Sequence, residues 1–96
     1  MAALSRKVDV CTGHANFPPR NSIEGSPNVF VNGSPVNRVG DAWAIHCNSS
    51  PSCHDAVSSS GSGTVFINNA AACRIGDDIS CGSSVAQGSP DVFVGD

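Results

Sequence analysis

Residues 46–54 read HCNSSPSCH, which gathers two of the chain's three histidines and two of its five cysteines. Three kinds of chemistry use such residues: a disulfide between Cys47 and Cys53, a thiolate activated by a neighbouring imidazole, or part of a metal site. Five is an odd number, so a fully paired disulfide framework would leave one thiol over. The N-terminal MAALSRKVDVCTGH lacks an apolar stretch of signal-peptide length, so synthesis in a reducing cytosol is expected. Close Cys and His residues there serve more often as ligands or catalytic groups than as disulfides. A His46–Cys47 dyad is poor catalytic geometry, because adjacent residues of a strand point to opposite faces. A zinc hydrolase would need an open coordination position and a general base, and Glu24 is the sole glutamate. No catalytic residue is assigned, and a non-enzymatic protein is expected.

A second pattern includes the remaining histidine. His14 follows Asp9 by five positions, His46 follows Asp41 by five, and Cys81 follows Asp77 by four. Each segment lies upstream of a Val-Phe dipeptide, so side chains borne on three similar units could converge on one axis. His54 belongs to a second register, preceding Val65 by eleven residues as Cys81 precedes Val92. His14, His46, His54 and Cys81 have the number and type of a closed tetrahedral zinc site. One Zn²⁺ per chain is expected, with iron the lesser alternative because affinity order alone does not set occupancy. Ligands spread from residue 14 to residue 81 would link metal binding to folding, which makes the ion structural. Cys11, Cys47, Cys53 and Cys73 are expected as core or loop thiols, with a Cys47–Cys53 disulfide as the alternative.

The elements that must position these residues are visible as repeats. SPNVFVNGSPVNRVGD (26–41) and SGTVFINNAAACRIGD (62–77) align without a gap, and SPDVFVGD (89–96) repeats their opening. VFV and VFI are β-rich tripeptides entered from Gly, Ser or Pro and left through Asn-Gly, Asn-Asn or Gly-Asp, the pattern of short strands bounded by tight turns. NRVGD and CRIGD read as a returning strand and turn. Arg38 and Arg74 each precede an aspartate by three, which suits a turn-fixing ion pair. No segment sustains a helical apolar period. One all-β domain over 1–96 is expected, built of short hairpins with pseudo-threefold repetition and without an appended effector domain.

Composition bounds the rest. A chain of 96 residues buries only about 60 to 65% of its unfolded surface, and aromatic content is 5% with no tyrosine. Such a domain needs a staple: a disulfide, a metal or a partner. Net charge is −3, and the five Lys and Arg form no cluster beyond Arg6-Lys7, so the footprint of a nucleic-acid binder is missing.

The strings VFVNGSPVNRVGD and VFINNAAACRIGD, followed by CGSSVAQGSPDVFVGD, resemble the PAAR-repeat proteins from about residue 9 to residue 96. Pro35-Val36-Asn37-Arg38 and Ala71-Ala72-Cys73-Arg74 stand where the Pro-Ala-Ala-Arg tetrapeptide would be, in degenerate form. The resemblance implies a small cone of β-hairpins with zinc near the tip on three His and one Cys, hence His14, His46, His54 and Cys81. It implies a cap, one per trimer, on a trimeric β-helical spike of VgrG-type or phage type, in a type VI secretion system or contractile phage tail. The chain would be monomeric when free, carried outside the cell on firing, and would meet a membrane only during puncture. A zinc- or disulfide-stapled binding module unrelated to a spike is the competing reading.

Overall fold

The computed structural model describes residues 2–49 and 52–95. Among them lie eight short strands and no helix: β1 (Ala2–Ala3), β2 (Phe30–Val31), β3 (Ser34–Pro35), β4 (Ala42–Cys47), β5 (Cys53–Val57), β6 (Phe66–Ile67), β7 (Ala70–Ala71) and β8 (Phe93–Val94). They pair antiparallel as β2–β3, β6–β7, β4–β5 and β1–β8. The all-β class and the short hairpins agree with the sequence. The molecule is elongated, with extents of 39 × 24 × 22 Å.

Turn chemistry explains two of the small hairpins. Asn32 and Gly33 join β2 to β3 at φ of 53° and 77°, and Asn68 and Asn69 join β6 to β7 at 54° and 67°. Consecutive positive φ values are what a two-residue hairpin turn requires, and Asn and Gly adopt them at least cost.

The third unit is completed differently from the sequence expectation. Residues 89–96 are only half a copy; β8 pairs with β1, so Ala2↔Val94 and Ala3↔Phe93 reproduce Val31↔Ser34 with Phe30↔Pro35 and Ile67↔Ala70 with Phe66↔Ala71. AALSRKVD (2–9) is thus the counterpart of SPVNRVGD (34–41) and AAACRIGD (70–77). The two ends of the chain close one ring of three units.

Equivalent bonds recur around that ring. Ser5 N–H donates to Cys73 O (2.8 Å), Cys73 N–H to Asn37 O (3.0 Å), and Asn37 N–H to Ser5 O (3.0 Å), a closed cycle. Arg6–Asp9, Arg38–Asp41 and Arg74–Asp77 form ion pairs of 2.9, 2.8 and 3.0 Å, and each aspartate also accepts the backbone N–H of its arginine. The expected turn-fixing pairs are present, with Arg6–Asp9 as a third. Ser26, Ser62 and Ser89 each accept the backbone N–H three residues on and donate to Asn68, Gly95 O and Asn32 respectively.

Two apolar clusters fill the interior. Leu4, Val36, Ala72 and Val94, flanked by Val29, Val31, Val65, Ile67 and Val92, form one inside the ring. Cys11, Trp43, Ile79 and Val85 form the second, with Ala56 and Cys81 against it. A buried polar chain connects them: Trp43 Nε1–H donates to Ser58 Oγ, Ser58 to Asn37 Oδ1, and Asn37 Nδ2 to Ser5 Oγ. Every buried side-chain nitrogen and oxygen among the described residues has a partner, as a small core must arrange when polar groups are enclosed.

Candidate metal centre

Each unit sends one hairpin out of the ring, described over residues 9–22, over 41–49 with 52–58, and over 77–85. Their feet are equivalent: Ser22, Ser58 and Val85 N–H donate to the carbonyls of Asp9, Asp41 and Asp77. Two residues past each aspartate, Cys11, Trp43 and Ile79 are each 3% exposed and enter the second apolar cluster. Above that level the hairpins differ, and the differences place the candidate ligands.

In the second hairpin, Trp43 pairs with Ala56 and His46 with His54, so β4 spends one more residue than β5 over that interval. This bulge turns His46 to the buried side of Trp43, although a spacing of three would put them on opposite faces of a regular strand. The third hairpin has no such insertion. Ile79 N–H donates to Ser83 O and Gly82 N–H to Ile79 O in a tight turn that leaves Cys81 two residues beyond Ile79. Hence the spacing of five from aspartate to histidine and four to cysteine.

The first hairpin turns back at residues 14–17, where His14 and Phe17 exchange backbone bonds of 3.0 and 2.7 Å. Gly13, at φ +72°, brings the chain so close that a Cβ would lie 2.6 Å from Phe17 O. Phe17 therefore stands opposite His14 as His54 stands opposite His46. His54 is the extra candidate ligand because only the longest hairpin carries one on each strand. Cys81, at the tip of the shortest, satisfies both sequence registers at once.

The structure brings the ligand atoms of His14, His46, His54 and Cys81 within 4.8 Å of one another. His46 is 3% exposed, and its Nδ1 lies 2.8 Å from Pro18 O, a contact that requires a proton on Nδ1 and leaves Nε2 with a lone pair. That Nε2 is 2.6 Å from His54 Nε2, which is also 3.0 Å from His14 Nε2. With neutral rings no choice of tautomers gives both contacts a proton of their own, because His46 Nε2 has none to donate, whereas a cation satisfies all three nitrogens. His54 is held below its ordinary pKa by desolvation and then by the adjacent His46 and His14, which favours its neutral, ligating form. The donor set and its convergence fit a metal ion.

The remaining cysteines correct one expectation. Cys47 and Cys53 are joined as a disulfide, not loop thiols, because they stand directly opposite each other one step beyond the His46–His54 pair. Cys11 and Cys73 are buried thiols as expected. Burial pushes the Cys73 thiol up to about 12, which makes it inert.

Two contributors went unassigned in the sequence reading. The Phe17 ring lies 4.8, 5.0 and 4.2 Å from the imidazoles of His14, His46 and His54, and Pro18 supplies the carbonyl that orients His46. Their signal was the HANFPP string, legible only once the first hairpin is aligned with the second. No curated protein matches the chain. The PAAR-motif family model matches residues 12–87, spanning all four candidate ligands and two complete ring segments, and the chain belongs to the PAAR-motif family.

Proposed function

We propose that this protein is a non-enzymatic tip that caps a trimeric β-helical spike of a contractile injection apparatus, with one Zn²⁺ held by His14, His46, His54 and Cys81. The observation that carries the reading is a set of three exposed phenylalanines. Phe30, Phe66 and Phe93 occupy equivalent ring positions and are 56%, 59% and 50% exposed. The flanking residues Val29, Val31, Val65, Ile67, Val92 and Val94 belong to the ring core, so strand alternation turns each phenylalanine away from it. Large apolar side chains repeated in this way mark an interaction surface. A three-chain helix ends in three equivalent edges, and a single chain with three equivalent docking points matches it at one tip per trimer.

Three imidazoles and one thiolate suit zinc, and four protein ligands close the site in the manner of structural zinc. The ion ties together three hairpins that share only a small apolar cluster, which keeps the narrow end folded while the spike is driven through a membrane. A Cys/His enzyme is disfavoured because Cys47 and Cys53 are oxidised and Cys73 is fully buried. A stapled binding module would use the Cys47–Cys53 disulfide and the proposed metal as its staples, and the partner separates the two readings.

The test mixes the purified chain with a trimeric β-helical spike and measures mass by light scattering. One chain per trimer is expected, lost in the Phe30→Ser, Phe66→Ser, Phe93→Ser triple variant while its metal content is unchanged. A complex unaffected by the triple change would remove these residues from the interface.

A further inference from the structure

Phe17 is the apolar counterpart of a ligand. It occupies in the first hairpin the place that His54 occupies in the second, facing His14 across the turn as His54 faces His46. Its ring is stacked on His14 with 25° between planes and tilted by 40° and 42° against His46 and His54. Cys81, the fourth ligand, rests on the cluster of Cys11, Trp43, Ile79 and Val85. The four donor atoms thus lie among apolar groups contributed by all three hairpins.

We propose that Phe17 is a positioning residue that holds the coordination number at four by keeping water and other small ligands away from the ion. This rests on the metal reading of the four-residue cluster. Two physical effects support it. A ring against all three imidazoles fixes their tilt, and so the direction of each nitrogen lone pair. The apolar shell around a metal controls solvent access; His46 is buried while His14, His54, Cys81 and Phe17 are half-buried, so the Phe17 ring is a cover whose removal should open the ion to solvent. The placement also explains why the first hairpin supplies one ligand although its backbone offers two facing positions. A donor at residue 17 would be a fifth ligand.

Cobalt(II) provides the test, because its visible absorption reports coordination number. The metal-free, disulfide-intact protein is titrated with cobalt. One intense tetrahedral spectrum, unchanged by azide, is expected for the parent chain. Phe17→Leu, which keeps apolar bulk, should retain that spectrum. Phe17→Ala should weaken it toward five-coordinate intensity on adding azide, and should release the metal to a chelator about tenfold faster or more, the scale of effect typical of groups surrounding a metal site. Phe17→His, which keeps a ring of similar size, should give a five-coordinate spectrum without azide and serves if Phe17→Ala does not fold. Tetrahedral, azide-insensitive spectra in both the Ala and His variants would overturn the role of Phe17. Failure of the parent chain to bind cobalt at all would instead overturn the four-ligand site.

Discussion

The ring and the hairpin tip are built from the same three units, yet one keeps the repetition and the other abandons it. In the ring, ion pairs, serine caps and the cycle of backbone bonds occur in triplicate with nearly equal lengths. At the tip the hairpins differ in length, one carries a bulge and a disulfide, and they supply one, two and one candidate ligands. The contrast has a geometric origin. Three equivalent arms can offer three ligands or six, whereas a closed zinc site takes four. Symmetry therefore has to break wherever the chain surrounds a tetrahedral ion, and it can persist where the chain has only to close on itself.

The largest expected effect breaks the tip alone. Removing the metal with a chelator, or replacing His46 and His54 together by Ala, should abolish metal binding and cooperative unfolding of the tip hairpins, because binding free energy there is folding free energy. Amide exchange should then rise over 9–22, 41–58 and 77–85 well before it rises at the ring amides of Ser5, Asn37 and Cys73. Equal loss in both regions would show that they do not differ in what holds them.

The ring variants should be interchangeable. Asp9→Asn, Asp41→Asn and Asp77→Asn each leave an arginine short of a buried carboxylate partner, at an expected cost of about 3 kcal/mol. Denaturant unfolding should return three similar values, and a wide spread would contradict the equivalence of the units. Next in size is the disulfide: Cys47→Ser with Cys53→Ser opens a short loop and should cost about 2 kcal/mol while zinc content stays unchanged. Loss of zinc in that variant would make the disulfide a condition of metal binding.

The smallest expected effect restores a broken equivalence. Val8 sits at φ 77° where its counterparts are Gly40 and Gly76, at 95° and 93°. A β-branched residue is strained in that region, so Val8→Gly should stabilise the protein by about 1 kcal/mol. A destabilised variant would mean that the Val8 side chain contributes more than its backbone costs.

The strands and candidate ligands were legible because both follow local rules. VFV and VFI next to Asn-Gly or Asn-Asn announce short hairpins, and His or Cys at a fixed distance from Asp announces convergence. Only the second half of the third unit, residues 2–9, was not legible, because it lies at the opposite end of the chain from 89–96 and Lys7-Val8 replaces the apolar-Gly pair of its counterparts. The bulge in β4 left a trace, the offset of five against four, but only the pairing of His46 with His54 explains it. The Cys47–Cys53 bond was obscured by compartment and parity arguments, which say nothing of two residues placed face to face. Phe17 was hidden because its role depends on which ligand it replaces.

The most direct measurement is metal content per chain, by elemental analysis of untagged protein, beside single Ala replacements of His14, His46, His54 and Cys81 and the double Cys47→Ser, Cys53→Ser variant. One zinc is expected in the parent chain and in the double variant, with loss in each of the four single replacements. A folded parent chain without metal, or zinc retained when Cys81 is replaced, would contradict it.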